Sequence, residues 1–96
     1  MIINFSPQRR DDDLAIIKTD DILNIDGTDY DFSDIPEGGT LPADAVDCEF
    51  IIGDVERVNG ELQLTIILPH TSNASEEQRF PEPLTVNTDG QVVLPE

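Results

Sequence analysis

A chain of 96 residues and 10.6 kDa has room for one domain and excludes a second independent core. With 21 acids against 5 bases, a formal net charge of −16, its surface repels nucleic acid and anionic membranes and favours basic partners, divalent cations or plain solubility. A lone Cys48 excludes an internal disulfide, and with a lone His70 it leaves no ligand set for structural zinc.

Apolar residues make up 38% of the chain, enough for one thin core. The runs Leu14–Ile17, Phe50–Ile52 and Leu62–Leu68 argue for folding rather than an acidic disordered ensemble. No apolar run approaches the roughly 20 residues needed to span a membrane. The segment Met1-Ile2-Ile3-Asn4-Phe5 lacks a basic leader, so a soluble, unsecreted protein is expected.

In chain order, Ile2–Phe5 is a first strand, ended by Pro7, and Arg9-Arg10-Asp11-Asp12-Asp13 is a charged turn. Leu14–Thr19 is the next strand, bounded by Asp20-Asp21. Ile22–Phe32 folds about Asp26-Gly27, the residue pair that a two-residue type I′ turn demands. Walking outward from that turn sets Ile25 opposite Thr28 and Leu23 opposite Tyr30. Leu23, Ile25, Tyr30 and Phe32 then share the buried face, with Asn24, Asp29 and Asp31 on the wet one.

Ser33–Asp47 is rich in Pro and Gly, with one helical turn at Ala43–Val46. Cys48–Leu68 is the longest hairpin and turns at Asn59-Gly60. An unbroken ladder from that turn places Arg57 opposite Leu62, Val55 opposite Leu64, Gly53 opposite Ile66 and Ile51 opposite Leu68. The other face pairs Val58 with Glu61, Glu56 with Gln63, Asp54 with Thr65 and Ile52 with Ile67. That ladder is polar on one face near the turn and apolar on both faces far from it. Ile51, Ile52, Ile66, Ile67 and Leu68 are therefore covered on both sides, by the rest of the domain or by a partner, and form the candidate contact surface.

Pro69 ends this strand. Ser75-Glu76-Glu77-Gln78 fits a capping box, and Pro81 and Pro83 stop any helix there within about a turn and a half. A last hairpin pairs Leu84–Asn87 with Gln91–Leu94 about Asp89-Gly90. The fold expected is all-β: one domain over residues 1–96, a small sandwich or partly open barrel of about seven strands in antiparallel hairpins, with at most one or two short helical turns.

Catalytic signals are sparse. Cys48 and His70 flank the long hairpin and are the only nucleophile–base pair the ladder could bring together, while an isolated Cys usually serves as a small buried hydrophobe. With 21 acids, carboxylate pairs arise in almost any fold and carry no information. Asp26-Gly27-Thr28-Asp29-Tyr30-Asp31 and Asp11-Asp12-Asp13 offer oxygen ligands, but neither follows the ligand order of an EF-hand loop. Asn73-Ala74-Ser75 has the spacing of a glycosylation acceptor, without other signs of secretion. No catalytic residue, cofactor or metal is expected. The acids read first as a solvating, edge-protecting coat. Their alternative is mimicry of DNA, because a duplex as long as this domain carries on the order of 18–20 phosphate charges.

Several stretches resemble a group of small proteins encoded among the tail genes of bacteriophages and prophages. These are Asn4-Phe5-Ser6-Pro7 with Arg9, Asp31-Phe32-Ser33, Ile35-Pro36-Glu37-Gly38, and Thr40-Leu41-Pro42 with Ala45. Gly53-Asp54-Val55-Glu56-Arg57 with Gly60 and Leu62, Leu68-Pro69-His70, and Phe80-Pro81-Glu82-Pro83 complete the set. The resemblance covers nearly the whole chain and implies a setting rather than a chemistry. It implies a non-enzymatic structural or assembly protein working through protein contacts in the bacterial host cytoplasm or the virion tail. The partners implied are tail or tail-fibre proteins or further copies of the chain, not nucleic acid or membrane. It carries over no catalytic residue.

Overall fold

Local turn chemistry sets the first pieces. In a computed structural model of the protein, which describes residues 1–10, 14–46, 48–70, 76 and 81–94, Asp26 and Gly27 both take positive φ, as do Asn59 and Gly60. Each pair closes a two-residue hairpin whose twist matches its strands. Nine strands result: β1 (Ile2–Arg9), β2 (Ile16–Thr19), β3 (Ile22–Ile25), β4 (Thr28–Asp31), β5 (Thr40–Leu41), β6 (Ile51–Val58), β7 (Glu61–His70), β8 (Leu84–Thr85) and β9 (Gly90–Gln91). One 3₁₀ turn spans Ala43–Ala45, where the sequence predicts a helical turn.

The strands form two sheets, ordered β5-β6-β7-β1-β8 and β4-β3-β2-β9, and neither closes into a barrel. Of the two architectures expected, the open pair of sheets is the one adopted. One apolar cluster joins them, drawing on Ile3, Ile16, Leu23, Ile25, Phe32, Val55, Leu62, Leu64, Ile66 and Val92. The four-stranded sheet follows the predicted alternation. Leu23 pairs with Tyr30 and Ile25 with Thr28; Leu23, Ile25 and Phe32 are buried, and Asp29 and Asp31 are exposed.

Three expected pairings fail, and β7 also runs through Pro69 to His70 rather than ending at the proline. First, β1 does not end before Pro7 but continues through it to Arg9, pairing in parallel with β7 rather than within a hairpin. Arg10 N donates to His70 O, so even-numbered residues of β1 turn their N–H groups toward β7 and odd-numbered ones turn away. Pro7 sits at an odd position, where its missing donor costs the ladder nothing.

Second, the long hairpin is not an unbroken ladder. Val58, Arg57 and Glu56 pair as expected with Glu61, Leu62 and Gln63, but Ile51 then faces Ile66 and Ile52 faces Thr65. Between Ile52 and Glu56 the strand advances four residues while β7 advances two. Gly53 absorbs the excess at φ +71, a conformation costly for residues with a Cβ. A slide of two preserves the faces, which is why the predicted inner set stays inner although its partners change.

Third, the last hairpin does not form. β8 pairs with β1 and β9 with β2, so this segment crosses from one sheet to the other. Val86 N donates to Met1 O on one side of the crossing, and Val92 N to Ile16 O on the other. Asp89 serves not as a hairpin residue but as an acceptor, taking hydrogen bonds from Asp20 N at 2.9 Å and Lys18 Nζ at 3.1 Å. The two-residue β5 inside the turn-rich stretch is the strand not expected, and with it nine strands lie among the described residues. Asp11-Asp12-Asp13, the Asn73-Ala74-Ser75 sequon and the capping box apart from Glu76 lie outside the described residues.

Candidate interaction surface

The five residues singled out as a contact surface are largely interior. Ile51, Ile66, Ile67 and Leu68 are buried within the single chain, and Ile52 is half-buried against the core. Ile66 and Ile67 point to opposite faces of β7, so the chain itself covers both sides of the strand there. Of the five, Ile52 alone is partly accessible. It sits on the outer face opposite Thr65, which in turn pairs with Asn4.

The residue that sequence reasoning passed over is Arg57. It occupies an inward ladder position opposite Leu62, with its side chain only 16% exposed. Its Nε donates to Ile35 O at 2.6 Å, and one terminal nitrogen reaches Asp21 Oδ2 at 3.0 Å and Phe32 O at 3.4 Å. A side chain from the five-stranded sheet thus grips the end of β4 and the β2–β3 turn of the other sheet. The loop after β4 is held from the same place: Gly38 N donates to Arg57 O, Arg57 N to Gly39 O, and Gly60 N to Glu37 Oε2 at 2.7 Å. An Arg at an apolar ladder position was the signal available in the sequence, since such a charge needs several acceptors to be tolerated.

Two further cations are engaged by acids of the same chain. Lys18 is 8% exposed and pairs with Asp89. Arg10 lies 4.9 Å from the Phe50 ring centre and 3.6 Å from Glu49. Three of the few bases therefore satisfy acids of the same chain, while Asp29, Asp31, Asp34, Asp44, Asp54 and Glu56 are exposed. Hydrogen bonds hold two carboxyls below their ordinary range. Ser33, through its hydroxyl and then its N–H, lowers Asp31; the Asp20 N–H, followed by Lys18, lowers Asp89.

Cys48 and His70 belong to different parts of the fold, a loop and β7. Cys48 lines an open depression of about 190 Å³ beside β4, together with Ile25, Thr28, Tyr30, Glu49 and Phe50. His70 ends β7 opposite Arg9. Among the described residues no three His, Cys, Asp or Glu side chains gather as a metal site, and no helix is long and apolar enough to cross a membrane. Comparison with protein-family models, with curated proteins and with solved structures found no match.

Proposed function

We propose that this chain is a non-enzymatic structural or assembly protein of a phage or prophage tail, acting in the host cytoplasm or the virion through protein contacts. The observation that carries this reading is the meeting of separate resembling stretches at one place. Phe32, Ile35, Glu37-Gly38, Arg57 and Gly60, scattered over three of those stretches and the turn residue beside them, are joined by the hydrogen bonds around Arg57. A sandwich braced by Arg57, with Lys18 and Arg10 also engaged by acids of the same chain, suits a rigid contact module. The test is copurification with tail proteins or particles, and association with them in size-exclusion chromatography. A chain that stays monomeric and enriches no tail component overturns the reading.

A second reading, an acidic decoy for a host DNA-binding protein, is favoured by shape and charge. The fold extends 40 Å along its longest axis, over which duplex DNA carries roughly 24 phosphate charges at one per ~1.7 Å. The whole chain carries −16, about two-thirds of that density. This reading requires capture of a host nuclease or nucleoid protein that duplex DNA competes away and salt weakens steeply.

A further inference from the structure

We infer that the free edge of β4 is a strand-docking site for an extended segment of a partner protein that carries Lys or Arg at alternate positions. This deepens the contact-module reading and rests on it. The strand Thr28–Asp31 ends the four-stranded sheet, and among the described residues only β3 pairs with it. Phe32 N donates to Asp21 O, which fixes the alternation of the ladder. Thr28 and Tyr30 turn their backbone groups to β3, whereas Asp29 and Asp31 turn theirs to the open edge. The backbone positions free to receive a strand therefore belong to the two acids. Their carboxylates are held in place on the outer face, Asp29 by Asn24 Nδ2 at 2.9 Å and Asp31 by Ser33 N at 2.9 Å.

A strand added there places residues directly opposite Asp29 and Asp31 on that same outer face, where basic side chains form cross-strand ion pairs. The residue between them, opposite Tyr30, points the other way. On that side lies a depression of about 190 Å³, lined by Ile25, Tyr30, Cys48 and Phe50 together with Asp26, Thr28 and Glu49. Sites that enclose a small molecule span roughly 300–1,000 Å³. This one is smaller, with room for a single side chain, and its lining adds two further acids. Charge on the outer face and a one-residue seat on the other together specify a strand with Lys or Arg at alternate positions and one small side chain seated between them.

The experiment titrates a fluorescent Lys-Val alternating peptide into the full chain, beside a peptide of identical composition with its lysines in one block. The alternating peptide is expected to bind saturably and more tightly than the block peptide. Asp29→Pro and Asp29→Asn remove the same charge, but only Pro removes the edge N–H, so Asp29→Pro is expected to bind about tenfold more weakly than Asp29→Asn. In the unaltered protein, hydrogen exchange at the Asp29 and Asp31 amides should slow on peptide addition while Tyr30, already bonded to β3, changes little. Equal binding of the two peptides, no saturable binding, or unchanged exchange at Asp29 and Asp31 overturns the docking edge. None of those results touches copurification with tail particles, which tests the broader reading separately.

Discussion

Replacing Arg57 with Ala removes the donor from three acceptors at once. The Ile35 carbonyl loses a 2.6 Å bond, the Asp21 carboxylate a 3.0 Å contact and the Phe32 carbonyl a 3.4 Å one. Hydrogen bonds from a charged donor contribute about 1.5–3 kcal/mol each when well formed and partly buried. The Ile35 bond belongs in that range, and the longer Phe32 bond below it. Asp21 is 39% exposed in its side chain, so its ion pair is discounted for solvent to about 0.5–1 kcal/mol. The loss expected is about 3–4 kcal/mol in all, against a total stability on the order of 5–14 kcal/mol for a chain this long. At about 4–8 °C per kcal/mol, the thermal midpoint falls by roughly 12–32 °C. Urea unfolding measures the first and a thermal melt the second, both followed by far-UV circular dichroism. Arg57→Lys should recover only part of the loss, because an ammonium cannot satisfy the three acceptors together. Asp21→Asn should cost about 1 kcal/mol or less. The brace as described is refuted if Arg57→Ala stays within about 1 kcal/mol of the unaltered protein, or if Asp21→Asn costs as much as Arg57→Ala.

Gly53→Ala, at φ +71 with open space around its Cβ direction, should cost about 1–2 kcal/mol from backbone strain alone, measurable as a lower urea midpoint with unchanged slope. Ile66→Ala, fully buried, should cost about 2–5 kcal/mol, whereas Ile52→Thr should leave a folded chain; the reverse order of midpoints would place Ile52 in the core instead. Asp89 and Asp31 have lowered folded values, so their stabilisation is complete above the ordinary carboxylate value of 3.8 and is lost as pH falls through the folded value. Asp89→Asn should accordingly flatten the acid limb of the stability–pH curve below about pH 4, read by thermal melts across pH. Added salt should raise the midpoint of the unaltered protein by screening repulsion within a −16 surface.

What the sequence reveals and what it hides divide along the range of the interactions. Asp26-Gly27 and Asn59-Gly60 specify their turns within two residues, so the registers beside them could be counted outward and match the ladder as far as Glu56. The slide beyond Glu56 was also written locally, as a glycine inside a strand, but a ladder counted by twos passes over it. Asp89-Gly90 looks like the other two turns because Asp suits both a turn and an acceptor role. Which role it takes depends on Lys18 and Asp20, some seventy residues earlier. The parallel pairing of β1 with β7 has no local signature at all, since it follows from which strands can share one core. Apolarity on both faces at Ile66 and Ile67 marked a covered strand, and of the two covers left open by the sequence, the rest of the domain or a partner, the same chain supplies one on both sides.

The parallel β1–β7 pairing also constrains the order in which the chain can fold. Ile3 must wait for Leu64 and Phe5 for Ile66, partners some sixty residues further along. The hairpins at Asp26-Gly27 and Asn59-Gly60 close from nearby residues and can form in microseconds. The larger sheet cannot gain β1 until β7 has been made and a long loop has closed, a topology that folds in about milliseconds to seconds. During synthesis β1 leaves the ribosome early and stays an unpaired apolar strand while the rest of the protein is still being made. Its middle, Asn4-Phe5-Ser6-Pro7, places a polar residue on either side of Phe5 and a proline just beyond, which limits mispairing over that interval.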